Sequence, residues 1–355
     1  VTTNNILGPL LRGNTRASID LNISPDKTLI NRSQIILDSP SFPSSFAFKQ
    51  KGLFTSYLSI ISELIVKSPN IESFHLINDT FVSNESWNSV VKLYTVAIFS
   101  EITSLCDRIG ENNKLVLEDD QVEYFIHAKR LLKYYNAVLV MCNHIAYKKD
   151  LYSKESSSQD PSNKKWKEAI RKILQNMKFL VNPESGFFAN FLTLNASINS
   201  VIINPKIGPL SNYNMLRFNL FRGILGFLSK VFSFRNRLSC FLTDEIAGFY
   251  IRLCYINFVK IYSYTDLDDI RNNARAKVPQ TPSKKSEDAI NTLKKYQLVL
   301  SRAYMHVLLA IAKNRTNDIK RKFYQYRILE FFYQEIDLEY EVMFLNIPVI
   351  CSLLL

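Results

Sequence analysis

The residues that most often carry out chemistry are few and dispersed in this chain of 355 residues. Its four histidines, His75, His127, His144 and His306, lie far apart in the sequence, and three of them fall within apolar runs. A zinc or iron site needs three or four ligands that converge. We therefore expect histidines of the core or surface, and neither a metal site nor a cofactor.

Motifs for catalysis and phosphate binding are missing from the sequence. Gly8 and Gly13 have the glycine spacing of a phosphate loop, but Asn14 stands where that loop needs a lysine. No Gly-x-Ser-x-Gly, Gly-x-Gly-x-x-Gly or His-Glu-x-x-His pattern occurs. The carboxylates near the C-terminus, such as Glu330 and Asp337, suit the solvated flank of a helix. We predict no catalytic residue and a protein that is not an enzyme.

Positive charge is concentrated in the second half of the chain. The sequence holds 44 Lys and Arg against 32 Asp and Glu, a formal net charge of +12. Residues 1–150 are balanced, with 15 of each sign, whereas residues 151–240 contain 13 basic and 4 acidic side chains. A field of this sign favours an acidic protein surface, nucleic acid or anionic lipid.

Basic and aromatic side chains supply the candidate binding residues. A basic helical run, the segment around residues 222–237 and a final segment that interleaves cations with tyrosines are typical of interaction surfaces. Solvated faces and core packing are the alternatives. The partner-binding candidates are Lys164, Lys167, Arg171, Lys172, Arg222, Arg235, Arg237, Lys320, Arg321, Lys322, Tyr324 and Tyr333.

Cysteine usage and hydropathy predict the compartment. The five cysteines are odd in number and irregularly spaced, which indicates buried thiols in a reducing environment. The longest uncharged window, residues 185–205, is interrupted by several Asn, Ser and Thr residues, whereas a membrane span needs about 20 mostly apolar residues. We expect no transmembrane segment and an intracellular location, cytoplasmic or nuclear.

Apolar periodicity predicts helices along most of the chain, and we find no convincing strand alternation. Near the start, Phe54, Leu58, Ile61 and Ile65 follow the helical repeat, and Pro69 ends the run. The predicted helices span 53–68, 85–109, a long run after 118, 164–181, 187–198, 213–231, 249–262, 287–313 and 318–345.

The helical rhythm predicts an all-α fold of stacked antiparallel helix pairs. Breaks recur at roughly 40-residue intervals, and this rhythm resembles that of armadillo and HEAT repeats. The resemblance is one of rhythm alone, so an irregular helical bundle stays open. We expect an irregular arm over 1–50, a helical unit over 51–150 and a continuous basic unit over 151–355, with polar loops near 148–163 and 264–286.

These observations lead to one functional expectation and one alternative. Long amphipathic helices with surplus aromatic and basic side chains offer extended contact surface. We expect a non-catalytic scaffold or adaptor that binds other proteins within an assembly. The alternative is a basic helical module that docks nucleic acid or anionic membrane through residues 151–240.

Overall fold

The computed structural model describes residues 44–67, 75, 84–109, 119–151, 161–203, 212–234, 241, 243–264 and 284–313. This part of the chain is helical and contains no strand, in agreement with the predicted all-α class. Its eight α-helices are α1 (Ser44–Lys67), α2 (Glu85–Ile109), α3 (Asp119–Lys148), α4 (Pro161–Asn176), α5 (Gly186–Ile203), α6 (Asn212–Ser233), α7 (Asp244–Tyr264) and α8 (Lys284–Ala312). A short 3-10 helix, Lys178–Leu180, follows α4.

The chain divides into two compact units, Val1–Ala47 and Phe48–Leu355. Of the first unit, only the residues that begin α1 are described.

Polar side chains begin three of the helices. Asn84 Oδ1 accepts a hydrogen bond from the backbone N–H of Trp87, at 3.0 Å, before α2. Ser185 Oγ accepts from Phe188 before α5, at 3.1 Å, and Thr243 Oγ1 accepts from Ile246 before α7, at 3.3 Å. Each cap satisfies a backbone N–H that the helix itself cannot pair.

The apolar stripes predicted from periodicity form the core. In α2, Val91, Ile98, Ile102 and Leu105 are all buried. The centre of the core is rich in rings: Phe191 stacks on Phe221 at 5.4 Å between centroids, which joins α5 to α6. Burial of these aromatic side chains is a major favourable term in folding.

The helices contact one another in a regular order. Helices adjacent in sequence pack as pairs: α2 with α3, α5 with α6, and α7 with α8. Contacts also run along α2, α5 and α7, and along α3, α6 and α8. At the start of this series, α1 contacts α2 through Phe54, whose ring stacks on that of Tyr94 at 4.4 Å, and α4 packs against α3.

Several predicted boundaries differ from the structure: α5 continues five residues beyond the predicted 187–198, and α7 begins five residues before the predicted 249–262. Residues 44–50, predicted to belong to the irregular arm, form the first turns of α1. The helix predicted over 164–181 ends at Asn176, where backbone bonds from Met177 to Leu174 and from Leu180 to Met177 tighten the chain into the 3-10 turn. The predicted helix over 318–345, the arm over 1–43 and most of both polar loops lie outside the described residues.

Candidate functional site

One face of α4 carries a cluster of positive charge. We call its five cations, Lys164, Lys165, Lys167, Arg171 and Lys172, the basic face. At 100° per residue they occupy an arc of about 160°. All of them are exposed except Lys167, which is half-buried. The opposite side of α4 carries Ile170, Ile173 and Leu174, and these are fully buried.

Contacts with neighbouring helices fix the position of α4. The Lys149 ammonium, just after α3, lies 5.7 Å from the centroid of the Trp166 ring, and the His75 ring packs against Trp166 at 4.8 Å. Lys172 Nζ lies 3.6 Å from Glu85 Oε1 at the start of α2. The basic face is therefore held by a packed helix and not by a free one.

The structure brings together four of the predicted binding residues. Lys164, Lys167, Arg171 and Lys172 share α4, whereas Arg222 is exposed on α6. The others lie outside the described residues: Arg235, Arg237, Lys320, Arg321, Lys322, Tyr324 and Tyr333. Their role in binding stays a prediction.

A second surface, which the sequence analysis missed, is the outer side of α1. Leu53, Ile60 and Leu64 are 76%, 57% and 58% exposed, and Tyr57 continues the same line. We call these four residues the outer stripe. They follow steps of four, three and four residues, the same rhythm as Phe54 with the buried Leu58, Ile61 and Ile65. Two apolar stripes of equal period on one helix are the signal that was available in the sequence.

Side chains from α2 and α3 border the outer stripe. On the α3 side, Arg130 Nη1 donates to Ser56 Oγ at 3.0 Å, and Lys133 pairs with Glu63. On the α2 side, the Trp87 ring lies 6.1 Å from that of Tyr57. The stripe thus has one aromatic edge and one edge that carries Arg130 and the Lys133–Glu63 pair.

A buried polar network connects α5, α7 and α8. Asn199 Nδ2 donates to Asn257 Oδ1 at 2.6 Å and to Asn195 Oδ1 at 3.3 Å. Tyr304 donates its hydroxyl hydrogen to Asn195, and burial raises the pKa of this phenol well above its ordinary value. Such a network specifies how three helices align. It offers no nucleophile paired with a base.

Arg217 on α6 is a buried cation with neutral partners. Its side chain is only 1% exposed, it donates to Ser197 Oγ and Asn214 Oδ1, and it lies 4.3 Å from the centroid of the Tyr213 ring. No carboxylate of the described residues pairs with it, and its Nε lacks a hydrogen-bond partner. The Ser197 hydroxyl, the Asn214 amide and the Tyr213 ring offset the desolvation free energy of the buried guanidinium.

A shallow cleft lies between α2, α3 and α4, with a volume of about 310 Å³ that includes solvent at its mouth. Tyr134 and Tyr135 line it, but both hydroxyls are engaged, with Trp87 and Thr95 respectively. Burial raises the pKa of Tyr134 to about 12. Nothing in this cleft is poised to transfer a proton near neutral pH.

The described cysteines agree with the prediction of buried thiols. Cys106, Cys142 and Cys254 are free and buried, and burial raises the pKa of Cys142 to about 12. A thiol with a pKa this high is largely protonated near neutral pH. Cys240 and Cys351 lie outside the described residues. Within the described ranges, no group of three His, Cys, Asp or Glu side chains is arranged to hold a metal ion.

One described helix, α2, has the length and composition of a possible membrane span. The window Glu85–Arg108 has a mean hydropathy of 1.3, and 44% of it is buried. Its apolar stripe packs against α3 and α5. Core helices have the same composition, so this is weak evidence for a membrane.

Comparison with known proteins gives one partial similarity. The chain is 26% identical, over 174 residues, to a probable serine/threonine-protein kinase of Dictyostelium discoideum. The match covers 49% of this chain and 5% of that protein. No family model and no solved structure matches the chain.

Proposed function

We propose that this chain is a helical scaffold that binds another protein through the outer stripe of α1, and that its helices form an α-solenoid. In such a fold, helix pairs stack so that each pair contacts the next. The series of contacts between helices supports this arrangement, since α5 contacts both α2 and α7, and α6 contacts both α3 and α8.

The exposed stripe of α1 is the observation that carries the proposal. Scattered apolar residues on a surface are normal, but a contiguous line of large ones marks an interaction site. Leu53, Ile60 and Leu64 form such a line with Tyr57. Their removal from water contributes favourable free energy in proportion to the apolar area that a partner covers.

The partner segment proposed for this stripe is an amphipathic helix from another protein. The stripe has helical spacing, so a second helix can lie along it in the way that α1 lies on its own neighbours. Arg130 borders one edge, beside the Lys133–Glu63 pair, which favours an acidic side chain on the matching edge of the partner helix. The kinase-named protein is much longer and only 5% of its length is matched, so its name assigns no activity to this chain.

The experiment is affinity purification of the full chain with cross-linking, in nuclease-treated extracts. The test variant is Ile60→Glu with Leu64→Glu, which places two charges on the stripe. The matched control is Val140→Glu with Tyr147→Glu, two exposed apolar positions on α3. We expect the wild type and the control to retain a protein that cross-links to α1, and the test variant to lose it. Retention of the same protein, with the same cross-links, by the test variant would overturn the proposal.

A further inference from the structure

We propose that the basic face of α4 is a docking surface for an acidic protein segment, and that Glu168 makes it select protein over nucleic acid. This inference rests on the proposed function, because it names the chemistry of a second contact that the scaffold makes. It concerns a different helix from the outer stripe and different forces.

Part of the basic face has no internal partner. The side chains of Lys164, Lys165 and Lys167 make no ion pair or hydrogen bond with the rest of the described chain. The Lys148 side chain, at the end of α3, also has no ion pair or hydrogen bond within the described chain. The next residue, Lys149, lies over the ring of Trp166. Mutual repulsion among these cations is relieved when carboxylates come between them.

The pair between Lys172 and Glu85 shows how an acidic segment meets this surface. A carboxylate at the start of α2 already lies 3.6 Å from Lys172 Nζ, although both side chains are mostly exposed. Carboxylates of a partner, spaced along a segment parallel to α4, would meet Lys164, Lys165 and Lys167 in the same manner. Contacts of this kind set specificity and association rate more than raw affinity.

A membrane surface fits this helix poorly. Interfacial amphipathic helices insert their apolar side among lipid chains. In α4 that side is already used, since Ile170, Ile173 and Leu174 are fully buried against the protein. Only charge remains to hold α4 on a membrane.

Nucleic acid also fits less well than protein. Glu168 is exposed within the arc of cations, one helical turn from both Lys164 and Lys172, where it would repel a continuous row of phosphates. A protein segment can place a lysine or arginine at that one position. Trp166, the aromatic residue of α4, is packed against Lys149 and His75, so it is not a free platform for base stacking.

The test measures binding of synthetic probes to the full chain by fluorescence anisotropy. One probe is a labelled helical peptide as long as α4, with glutamates along one face and a single central lysine. A second peptide has glutamate at the centre, and a third probe is a labelled single-stranded DNA. We expect the peptide with central lysine to bind most tightly, and Glu168→Lys to reverse the preference between the two peptides.

Matched charge reversals separate a local surface from bulk charge. The variant Lys164→Glu, Lys165→Glu, Lys167→Glu should weaken binding of the first peptide by about tenfold, the sum expected of three surface ion pairs. The control Arg222→Glu, Lys230→Glu, Lys295→Glu alters three exposed cations of α6 and α8 and should change it by less than about twofold, since those sites lie outside the docking face. Circular dichroism checks folding, and a Lys→Gln version of the first variant replaces it if the reversal unfolds the chain.

Each remaining outcome counts against the inference. Equal losses in both triple variants would mean that net charge alone binds the peptide. Tighter binding of DNA than of either peptide would assign the surface to nucleic acid, and no effect of Glu168→Lys would remove its selecting role. Ile60→Glu with Leu64→Glu should leave peptide binding unchanged. If that variant also fails to lose a cellular partner, the proposed function is wrong while the α4 result stands.

Discussion

Helices α1 and α4 both bury one side in the same fold, yet they present opposite chemistry to solvent. The outer stripe of α1 is apolar, with Leu53 76% exposed, whereas the outer arc of α4 is charged. Water solvates the α4 face well and the α1 stripe poorly. If both surfaces bind partners, binding at the α1 stripe therefore depends on the apolar area that is covered. Binding at the α4 face depends on the ionic strength.

The largest expected effect separates the two sides of α1. Ile61→Ala should lower the free energy of unfolding by about 3 kcal/mol, because it leaves a cavity beneath the helix. Ile60→Ala, one residue away on the outer stripe, should change it by less than about 0.5 kcal/mol. Urea denaturation of both variants measures the difference. Similar losses at the two positions would mean that the outer stripe is covered in solution.

The second prediction compares the two outer faces directly. Replacing Leu53, Ile60 and Leu64 by glutamine should reduce the fluorescence of a bound apolar dye such as ANS, since the exposed stripe is removed. Stability should change by less than about 0.5 kcal/mol at each site. Glutamine at Lys164, Lys165 and Lys167 is the matched control and should leave the dye signal unchanged. If the dye fluorescence is the same in the wild type and in both triple variants, the stripe is not accessible to the dye.

Acid should weaken the attachment of α1 to α3. A hydrogen bond from Lys133, together with its positive charge, holds the pKa of Glu63 below its ordinary value of 4.5. A lowered carboxyl pKa adds stability above the pKa of the unfolded chain, and this contribution is lost as the pH falls through the folded pKa. The stability difference between wild type and Lys133→Met should therefore be present at neutral pH and vanish in acid. Lys129→Met, an exposed change on the same helix, should give a difference that does not depend on pH.

The smallest effect concerns the ion pair of α4. Lys172→Ala should lower the free energy of unfolding by less than about 0.5 kcal/mol, because its pair with Glu85 is mostly exposed. Raising the salt concentration should remove what remains. A loss above about 1 kcal/mol in thermal or urea unfolding would show that this ion pair contributes more than an exposed pair does.

Apolar periodicity predicted the presence of the described helices and their buried sides. The predicted range of 85–109 matches α2, and the predicted stripe through Leu58, Ile61 and Ile65 is the buried side of α1. Boundaries were less accurate where the chain changes its helical type, as after Asn176. The apolar repeat continues across this change from α-helix to 3-10 helix, so periodicity alone does not mark the boundary.

What periodicity could not supply is the neighbour that each stripe meets. Both stripes of α1 have the same spacing, and only tertiary contacts decide which one is buried. Gly223 and Gly226 lie three residues apart on α6, a spacing that suits a close neighbour, yet a Cβ at Gly226 would meet no atom within 4 Å. Asn195, Asn199 and Asn257 interrupt apolar runs, and nothing local indicates that they bond to one another.

The asparagine network between α5, α7 and α8 also bears on how the chain reaches its native state. If any of these helices docked one turn out of place, about 5.4 Å along its axis, several amide groups would be desolvated with no counterpart. Apolar contacts are non-directional, so the unpaired amides add a penalty for misalignment that an all-aliphatic interior would lack. Asn199 and its partners thus penalise misaligned assembly during folding, in addition to the stability they give the finished molecule.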